Sequence, residues 1–461
     1  MNLTIQEIAR AVGGQILHNV ETPAITSVST DTRKITIGAL FVPIVGEKFD
    51  GHDYLDTAAK SGAVCAFTER ADIPTDIPLI LVDSTRRALM ELAGYYRRIH
   101  NVKVVAITGS AGKTTTKDMI YHVLARKYKT KKTLGNFNND IGLPLSIFQL
   151  EADDEALVLE MGMNHAMEIH ELSKTGAPDI AVITHIGDAH IENFENREGI
   201  LHAKLEIVDG LKPGGTVILN GDDILLTGDI ATGKTAAFKV RYPSLANIIS
   251  AKPPGDANAK LLSGSECHFN WKGHDIKLTV PLPGAHMVMN ALLAAAVGIE
   301  MDVSPEEISL GFDDFIPPGG RLSVENINGM TVINDAYNSN PAAVRESIKI
   351  LRTQPGAKVA ILGDMNELGH VAEQRHREIG AFVAEMGINL LITIGPLSRF
   401  TNDGYHTASG TANMSHRYFP TVDEFLLECG KLLHPGDVVL VKASRGMAFE
   451  RIVEFLRRGD Y

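Results

Sequence analysis

"ITGSAGKTTT", residues Ile107 to Thr116, decides how the rest of the chain is read. It closes "VKVVAITGS", a β-branched run with no polar alternation, the pattern of a buried parallel strand. A helical pattern, "KTTTKDMIYHVLARKY", begins at Lys113. A Gly-rich turn between such a strand and helix presents backbone N–H groups and the positive end of the helix dipole to a phosphate. Gly109 and Gly112 would let the backbone come close, Lys113 would reach the β- and γ-phosphates, and Thr114 would offer a hydroxyl to Mg²⁺. The common P-loop has a glycine five residues before its Gly-Lys pair. This chain has Ile107 there, so the loop is a shortened version.

The surrounding chain has 461 residues, which implies more than one core. Hydrophobic residues are 44% and charged residues 22%, ordinary for a soluble globular protein. A net charge of −12 argues against a general nucleic-acid or anionic-membrane binder, without excluding a local basic pocket. Cys65, Cys267 and Cys429 are far apart and lack zinc or redox spacing, which predicts a reducing compartment and no disulfide. The N-terminus, "MNLTIQEIARAVGGQI", has an amphipathic helix pattern rather than that of a signal peptide, and "ALLAAAVGI" is too short to span a bilayer. The expectation is a cytoplasmic, soluble protein.

Three blocks are expected. Residues 1–100 mix short strand-like runs with helices, forming a small α/β domain. Residues 101–316 add "ALVLEMG", "DIAVITHIG" and "GTVILNGDD" to the opening strand, implying a central, P-loop-type, mostly parallel sheet. The Pro/Gly break "FIPPGGR" ends this block. Residues 317–461 read β, α, β again through "TVINDAY", "KVAILGDM", "LLITIGP" and "DVVLVKASRG", a Rossmann-like α/β domain. The fold class is therefore α/β in three domains.

Polar residues collect at the ends of these strands, where open α/β sheets bind ligands. Glu160 ends "ALVLEMG", and His190 follows "DIAVITHIG". Lys204 lies in the helical run "REGILHAKLEI". Asn136, Asn138 and Asn139 in "TLGNFNNDIGLPLSIF" are either turn residues or amide donors for phosphate oxygens. In the third block, Asp335, Tyr337, Asn338 and Asn340, then Asp364 and Glu367, then Ser444 and Arg445 end separate strands and suggest one polar edge.

"TGSAGKTTTK", "GNFNNDIGLPL", "LEMGMN", "AHIENF", "HAKLEI", "NDAYNSNP", "GDMNELG" and "KASRG", in this order, resemble the Mur ligase family over nearly the whole chain. The shorter pattern G-x-x-G-K-[ST] of that family accounts for Ile107. "STDTRKITIGALFVPIVGEKFDGHDYL" resembles its uridine-nucleotide segment. "NDAYNSNP" and "GDMNELG", with no Asp-Asn-Pro-Arg motif, point to the subgroup that adds D-alanyl-D-alanine (D-Ala-D-Ala) to UDP-MurNAc-tripeptide. The folate relatives lack a comparable N-terminal domain.

The resemblance implies a monomeric, ATP-dependent ligase that works through an acyl phosphate with two Mg²⁺. It implies that Gly109, Ser110, Ala111, Gly112, Lys113, Thr114 and Thr115 cradle the ATP phosphates. Thr114 and Glu160 would hold one Mg²⁺; His190 and Lys204, the latter as a carbamate, would hold the other. Lys113, Asn138, Glu160, His190 and Lys204 form the implied catalytic set. Asn290, Arg321 and Asp335 would contact adenine, phosphate and ribose. Thr32, Lys48 and Phe49 would lie near the uridine diphosphate, and Asn338, Asn340, Ser444 and Arg445 would face the peptide substrates. The chain departs from the family at Met167 (usually Gly), His185 (Asn), Thr32 (Ser), Ala443 (Gly) and Asn366 (Leu).

Alternatives stay open at this point. One is a ligase of the same fold for another amino acid, such as a diaminopimelate-adding or folylpolyglutamate enzyme. Another is an ATP-binding regulator without ligation. A dinucleotide-binding oxidoreductase is disfavoured, because the loop lacks G-x-G-x-x-G and carries Lys113.

Overall fold

The computed structural model describes residues 1–17, 23–252, 264–317, 319–409 and 415–459. Pro318 of the expected Pro/Gly break lies outside them. The architecture is α/β, with four sheets among the described residues.

The first sheet has five strands in the order Gln15–Ile16, Leu79–Leu81, Ala63–Thr68, Ala39–Phe41, Ser27–Ser29. Only its Gln15–Ile16 edge is antiparallel. The helix Thr85–Ile99 then leads to the second sheet, with Ser84 capping its start through the N–H of Arg87.

The second sheet is parallel throughout its six strands: Lys239–Arg241, Thr216–Leu219, Ile180–Ile183, Lys103–Thr108, Ala156–Glu160, Thr130–Lys132. Lys103–Thr108 sits in the middle because its residues from Val104 onward are buried on both faces. The chain places Ala156–Glu160 on one side of it and Ile180–Ile183 on the other. Strand order reverses there, so the carboxyl ends open a crevice at the tip of Lys103–Thr108. Ile107 is in register with Glu160, and Thr108 with Ile183. The phosphate-type loop thus emerges between the segments that carry Glu160 and His190.

One part of the second block departs from expectation. Ile248–Lys252, Ser265–Trp271 and His274–Val280 form a separate antiparallel sheet, where the sequence reading had only helix-compatible connections. Its signal is period two: Ile276, Leu278 and Val280 are buried between exposed or half-exposed neighbours. That buried row faces the helix Pro305–Asp313, whose Ser309 hydroxyl donates to Lys277 O.

The fourth sheet also has six strands, ordered Ser323–Ile327, Met330–Asn334, Asp437–Lys442, Ala357–Gly363, Leu390–Ile394, Ser415–Phe419. All pairs are parallel except the Ser323–Ile327 edge. Its two edge strands were not evident in the sequence. Among the described residues no helix is long and apolar enough to cross a membrane.

Cys65, Cys267 and Cys429 are all free and buried. Burial pushes the Cys65 thiol up to about 12 and that of Cys267 up to about 11. Little thiolate exists at neutral pH, and reagents cannot reach it. Native protein should therefore release well under ~0.3 equivalents of thionitrobenzoate from Ellman's reagent in minutes, and all three thiols should react in guanidinium. A full equivalent from the native protein would contradict this packing.

Candidate functional site

Gly109 and Gly112 are both required by geometry. Gly109 has φ +150°, and a Cβ there would overlap Thr184 Oγ1; Gly112 has φ +83°, and a Cβ would meet Asn290 Oδ1 at 2.7 Å. Gly112 is the residue before the helix Lys113–Leu124, so the loop ends on that helix's unsatisfied N–H groups. Lys113 folds back, donating from Nζ to Gly109 O at 2.7 Å. Thr115 is buried beneath the turn.

Ser110 acts as a tether. Its N–H donates to His185 O at 2.8 Å, its hydroxyl donates to Gly187 O at 3.2 Å, and that hydroxyl accepts from Gly187 N at 2.9 Å. Ala111 O accepts from the Thr184 hydroxyl. The loop is therefore bound to the segment leading to His190, and the Ser110 side chain is engaged there. Asn290, expected at the adenine, lies buried against Gly112, with Nδ2 3.7 Å from Met287 Sδ.

Glu160 is buried, and its Oε1 accepts from Asn138 Nδ2 at 2.9 Å. Its Oε2 has no hydrogen-bond partner and lies 3.7 Å from Lys117 Nζ. Of the three asparagines, Asn138 thus orients Glu160. Asn139 is a turn residue: its side-chain oxygen accepts from Gly142 N at 2.8 Å. Asn136 O accepts from Asn138 N at 2.7 Å. Lys117 was missed as a site residue; its position four after Lys113, on the same helix face, was the available signal.

Lys204 sits in the helix Arg197–Leu205 at 1% exposure. Among the described residues no carboxylate lies within ion-pairing range of it. Burial, and then the nearby Lys113 cation, hold its amine well below the usual lysine range. Burial also lowers Lys113, opposed by the Glu160 carboxylate. His190 has φ +64°, and its Nδ1 is 2.9 Å from Glu367 Oε2 of the third block. The His190 ring holds the Glu367 carboxyl below the usual carboxylate range.

The third block closes the site from the other side. Arg321 donates from Nη2 to the Thr114 hydroxyl at 3.0 Å and stacks over Tyr337 at 4.1 Å. Other expected ligands have internal partners. Asp335 accepts from Lys442 Nζ at 2.6 Å and from the Ser347 hydroxyl at 2.7 Å. Asn340 caps the helix Pro341–Arg352 by accepting from Ala343 N at 2.9 Å, and Asn338 Oδ1 accepts from Ser339 N at 2.9 Å. Ser444 is buried and accepts from Asn366 N at 2.8 Å, so the departure at Asn366 is held by its backbone. Arg445 is exposed, with Nη1 3.2 Å from Glu450 Oε1.

Thr32 opens a short turn, Thr32–Lys34, which Asp31 caps. Lys48 and Phe49 are exposed in the first block, Phe49 by 57%. An exposed aromatic beside a cation suits a nucleobase and its diphosphate.

The Met167 departure has a visible cost. Met167 has φ +71° at the start of the helix Glu168–Gly176, a conformation worth ~1–2 kcal/mol to a residue with a Cβ. Met167→Gly should raise the guanidinium midpoint, with a stability gain of at most ~1 kcal/mol after glycine's unfolded-state entropy is counted. Its N–H, 2.7 Å from Glu206 Oε1, is retained. A lower midpoint would show that the Met side chain contributes more than the strain costs.

A hard cation fits part of this site. Glu160 Oε2, buried without a partner, and the Thr114 hydroxyl are oxygen donors beside the loop. Lys204 as an amine does not fit; as a carbamate it would supply oxygens.

A shortened glycine loop at a parallel-sheet switch point, capped by an arginine from a second α/β sheet, defines an enzyme that handles nucleotide phosphates between domains. The chain belongs to the Mur ligase family: the models for the Mur ligase family catalytic domain, the Mur ligase middle domain and the Mur ligase glutamate ligase domain match residues 24–97, 107–298 and 320–445. It is similar to UDP-N-acetylmuramoyl-tripeptide--D-alanyl-D-alanine ligase of Bacillus subtilis (strain 168), 37% identical over 461 residues and covering 98% of each chain. Among solved structures it resembles MurF from Acinetobacter baumannii, with TM-score 0.91, 29% identity and 99% of each chain covered. It also resembles MurF ligase from Thermotoga maritima in complex with ADP, with TM-score 0.81, 27% identity, and 94% of this chain and 97% of that one covered.

Proposed function

We infer that the chain is an ATP-dependent ligase that joins D-Ala-D-Ala to UDP-MurNAc-tripeptide, releasing ADP and phosphate, in peptidoglycan precursor synthesis. Full-length similarity to enzymes of that name supports the substrates. The observation that carries the chemistry is the contact of Arg321 with Thr114, which builds one phosphate site from two blocks. We assign the blocks to residues 1–100 for the uridine nucleotide, 101–316 for ATP, and 317–461 for completing the ATP and peptide sites.

A carboxylate is a poor electrophile, so it must first be activated. The peptide carboxylate oxygen attacks the γ-phosphorus of ATP, ADP leaves, and an acyl phosphate forms. The amine of D-Ala-D-Ala, having lost a proton to solvent, attacks the acyl carbon, and the tetrahedral adduct gives its second amine proton to the phosphate it expels. Lys113 swings from Gly109 O to the transferred phosphoryl group and offsets its charge. Arg321 does the same from the opposite side. Thr114, Glu160, His190 and a carbamylated Lys204 would hold Mg²⁺, which supplies further neutralisation of phosphate charge. Docking of the third block excludes water that would otherwise hydrolyse the acyl phosphate. A uridine-nucleotide substrate and ATP place the enzyme in the cytoplasm, and we assign it as a monomer.

The test is isotope transfer. Oxygen-18 in the tripeptide carboxylate should appear in released phosphate, in a reaction that needs D-Ala-D-Ala. Unlabelled phosphate would overturn the acyl-phosphate route.

A further inference from the structure

The segment that carries His190 meets the third block at three adjacent points. Asp188 is 4% exposed and sits between two guanidinium groups. Arg197, at the start of the helix that carries Lys204, hydrogen-bonds Asp188 Oδ1 through Nε. Arg375 of the helix Ala372–Glu385 approaches from the third block, with Nε 2.9 Å from Asp188 Oδ2. That N–H is not aimed at a hydrogen-bond acceptor, so the second contact is an ion pair without a linear hydrogen bond. Arg375 also pairs with Glu378 of its own helix at 2.9 Å.

Two further contacts accompany it. Glu367 reaches His190 at 2.9 Å from a left-handed backbone, φ +63°. Gly369 leaves no room for a side chain, since a Cβ would lie 2.6 Å from Glu192 Cβ. Beside these points the blocks stand apart around a cavity of about 790 Å³, lined in part by His185, Asp188, Arg197, Asp223 and Arg375. Docking on this side therefore depends on few contacts, and Asp188–Arg375 is a charged pair with Asp188 largely out of water.

We propose that Asp188 and Arg375 are positioning residues: their ion pair docks the third block so that Glu367 is brought onto His190 and fixes its ring. With Glu367 on Nδ1, Nε2 is the ring nitrogen of His190 left for another partner. Asp188 links both partners of the cleft, because Arg197 ties the same carboxylate to the Lys204 helix. The kinetic part of this inference rests on the proposed ligase reaction; the docking part does not.

The test uses the full chain with dyes on Ala152→Cys and Lys431→Cys, both exposed positions, since the native cysteines are buried. Energy transfer is read with and without a non-hydrolysable ATP analogue and Mg²⁺. Arg375→Gln should leave less of the protein docked and lower kcat on the order of tenfold, with the KM for ATP within about twofold, because the phosphate loop is untouched. Arg375→Lys should recover part of the loss. Asp188→Asn combined with Arg375→Gln should be no worse than the poorer single variant. Loss of docking in Arg375→Gln supports the proposal even if no ligation is seen in the parent, an outcome that would sink only the assigned reaction. Unchanged docking in Arg375→Gln overturns it, whether or not stability falls, and so do fully additive single effects. If Asp188→Asn does not fold, Arg375→Gln decides alone, since it leaves the Asp188–Arg197 pair in place.

Discussion

Lys113→Ala is expected to lower ligase kcat by about 100- to 1,000-fold, the usual cost of removing a group aimed at developing charge. The lysine is poised for this role by its surroundings. It begins the helix Lys113–Leu124, and among the described residues its side chain hydrogen-bonds only Gly109 O of its own loop. That bond is easily exchanged for phosphate oxygens. Burial lowers the proton affinity of the amine while Glu160 restores part of it, so a phosphate would favour the charged form further. Folding should be unaffected, since no carboxylate depends on Lys113 for a short ion pair among the described residues. Steady-state phosphate release and a thermal melt on the same sample would check both halves. Turnover within about fivefold of the parent would remove Lys113 from the phosphate site.

Lys204→Met should separate stability from function. The amine is buried, lies near the Lys113 cation and has no carboxylate partner in range among the described residues. The unfolded chain therefore binds a proton that the folded chain resists. Where the unfolded state holds more protons, stability rises with pH, by up to ~1.4 kcal/mol per pH unit for one group. The penalty of Lys204 is present below the unfolded lysine pKa, and it shrinks as pH rises towards that value. In buffer free of CO₂, Lys204→Met should be more stable than the parent at pH 7, and the gap should narrow by pH 9. Turnover should nevertheless fall by about 100-fold or more, because Met cannot become an oxygen ligand. Bicarbonate should stabilise the parent and leave the variant unchanged. A pH-independent gap, or a fully active variant, would show that Lys204 is an inert core lysine.

What could be read early had a local cause. From Val104 onward Lys103–Thr108 is buried on both faces, as are Ala156–Glu160, Ile180–Ile183 and Thr216–Leu219, so each reads as a largely apolar run without alternation. Thr130–Lys132 and Lys239–Arg241 were not visible because edge strands are polar: they read "TKK" and "KVR". The antiparallel sheet was hidden for a related reason, since one wet face breaks its apolar run into alternation. Met167 could be flagged as unusual in a family that prefers glycine, yet its φ of +71° was needed to say why.

The site divides in the same way. By itself the sequence determined the strand, glycine turn and lysine of the phosphate loop, and the strand-end position of Glu160. These follow from backbone stereochemistry and burial within a few residues. Only the tertiary structure decided which polar groups meet: Arg321 with Thr114 across 207 residues, Asp335 with Lys442 across 107, and Lys204 with no carboxylate in ion-pairing range among the described residues. Coulomb energy and desolvation depend on distances in space, and no spacing along the chain encodes them.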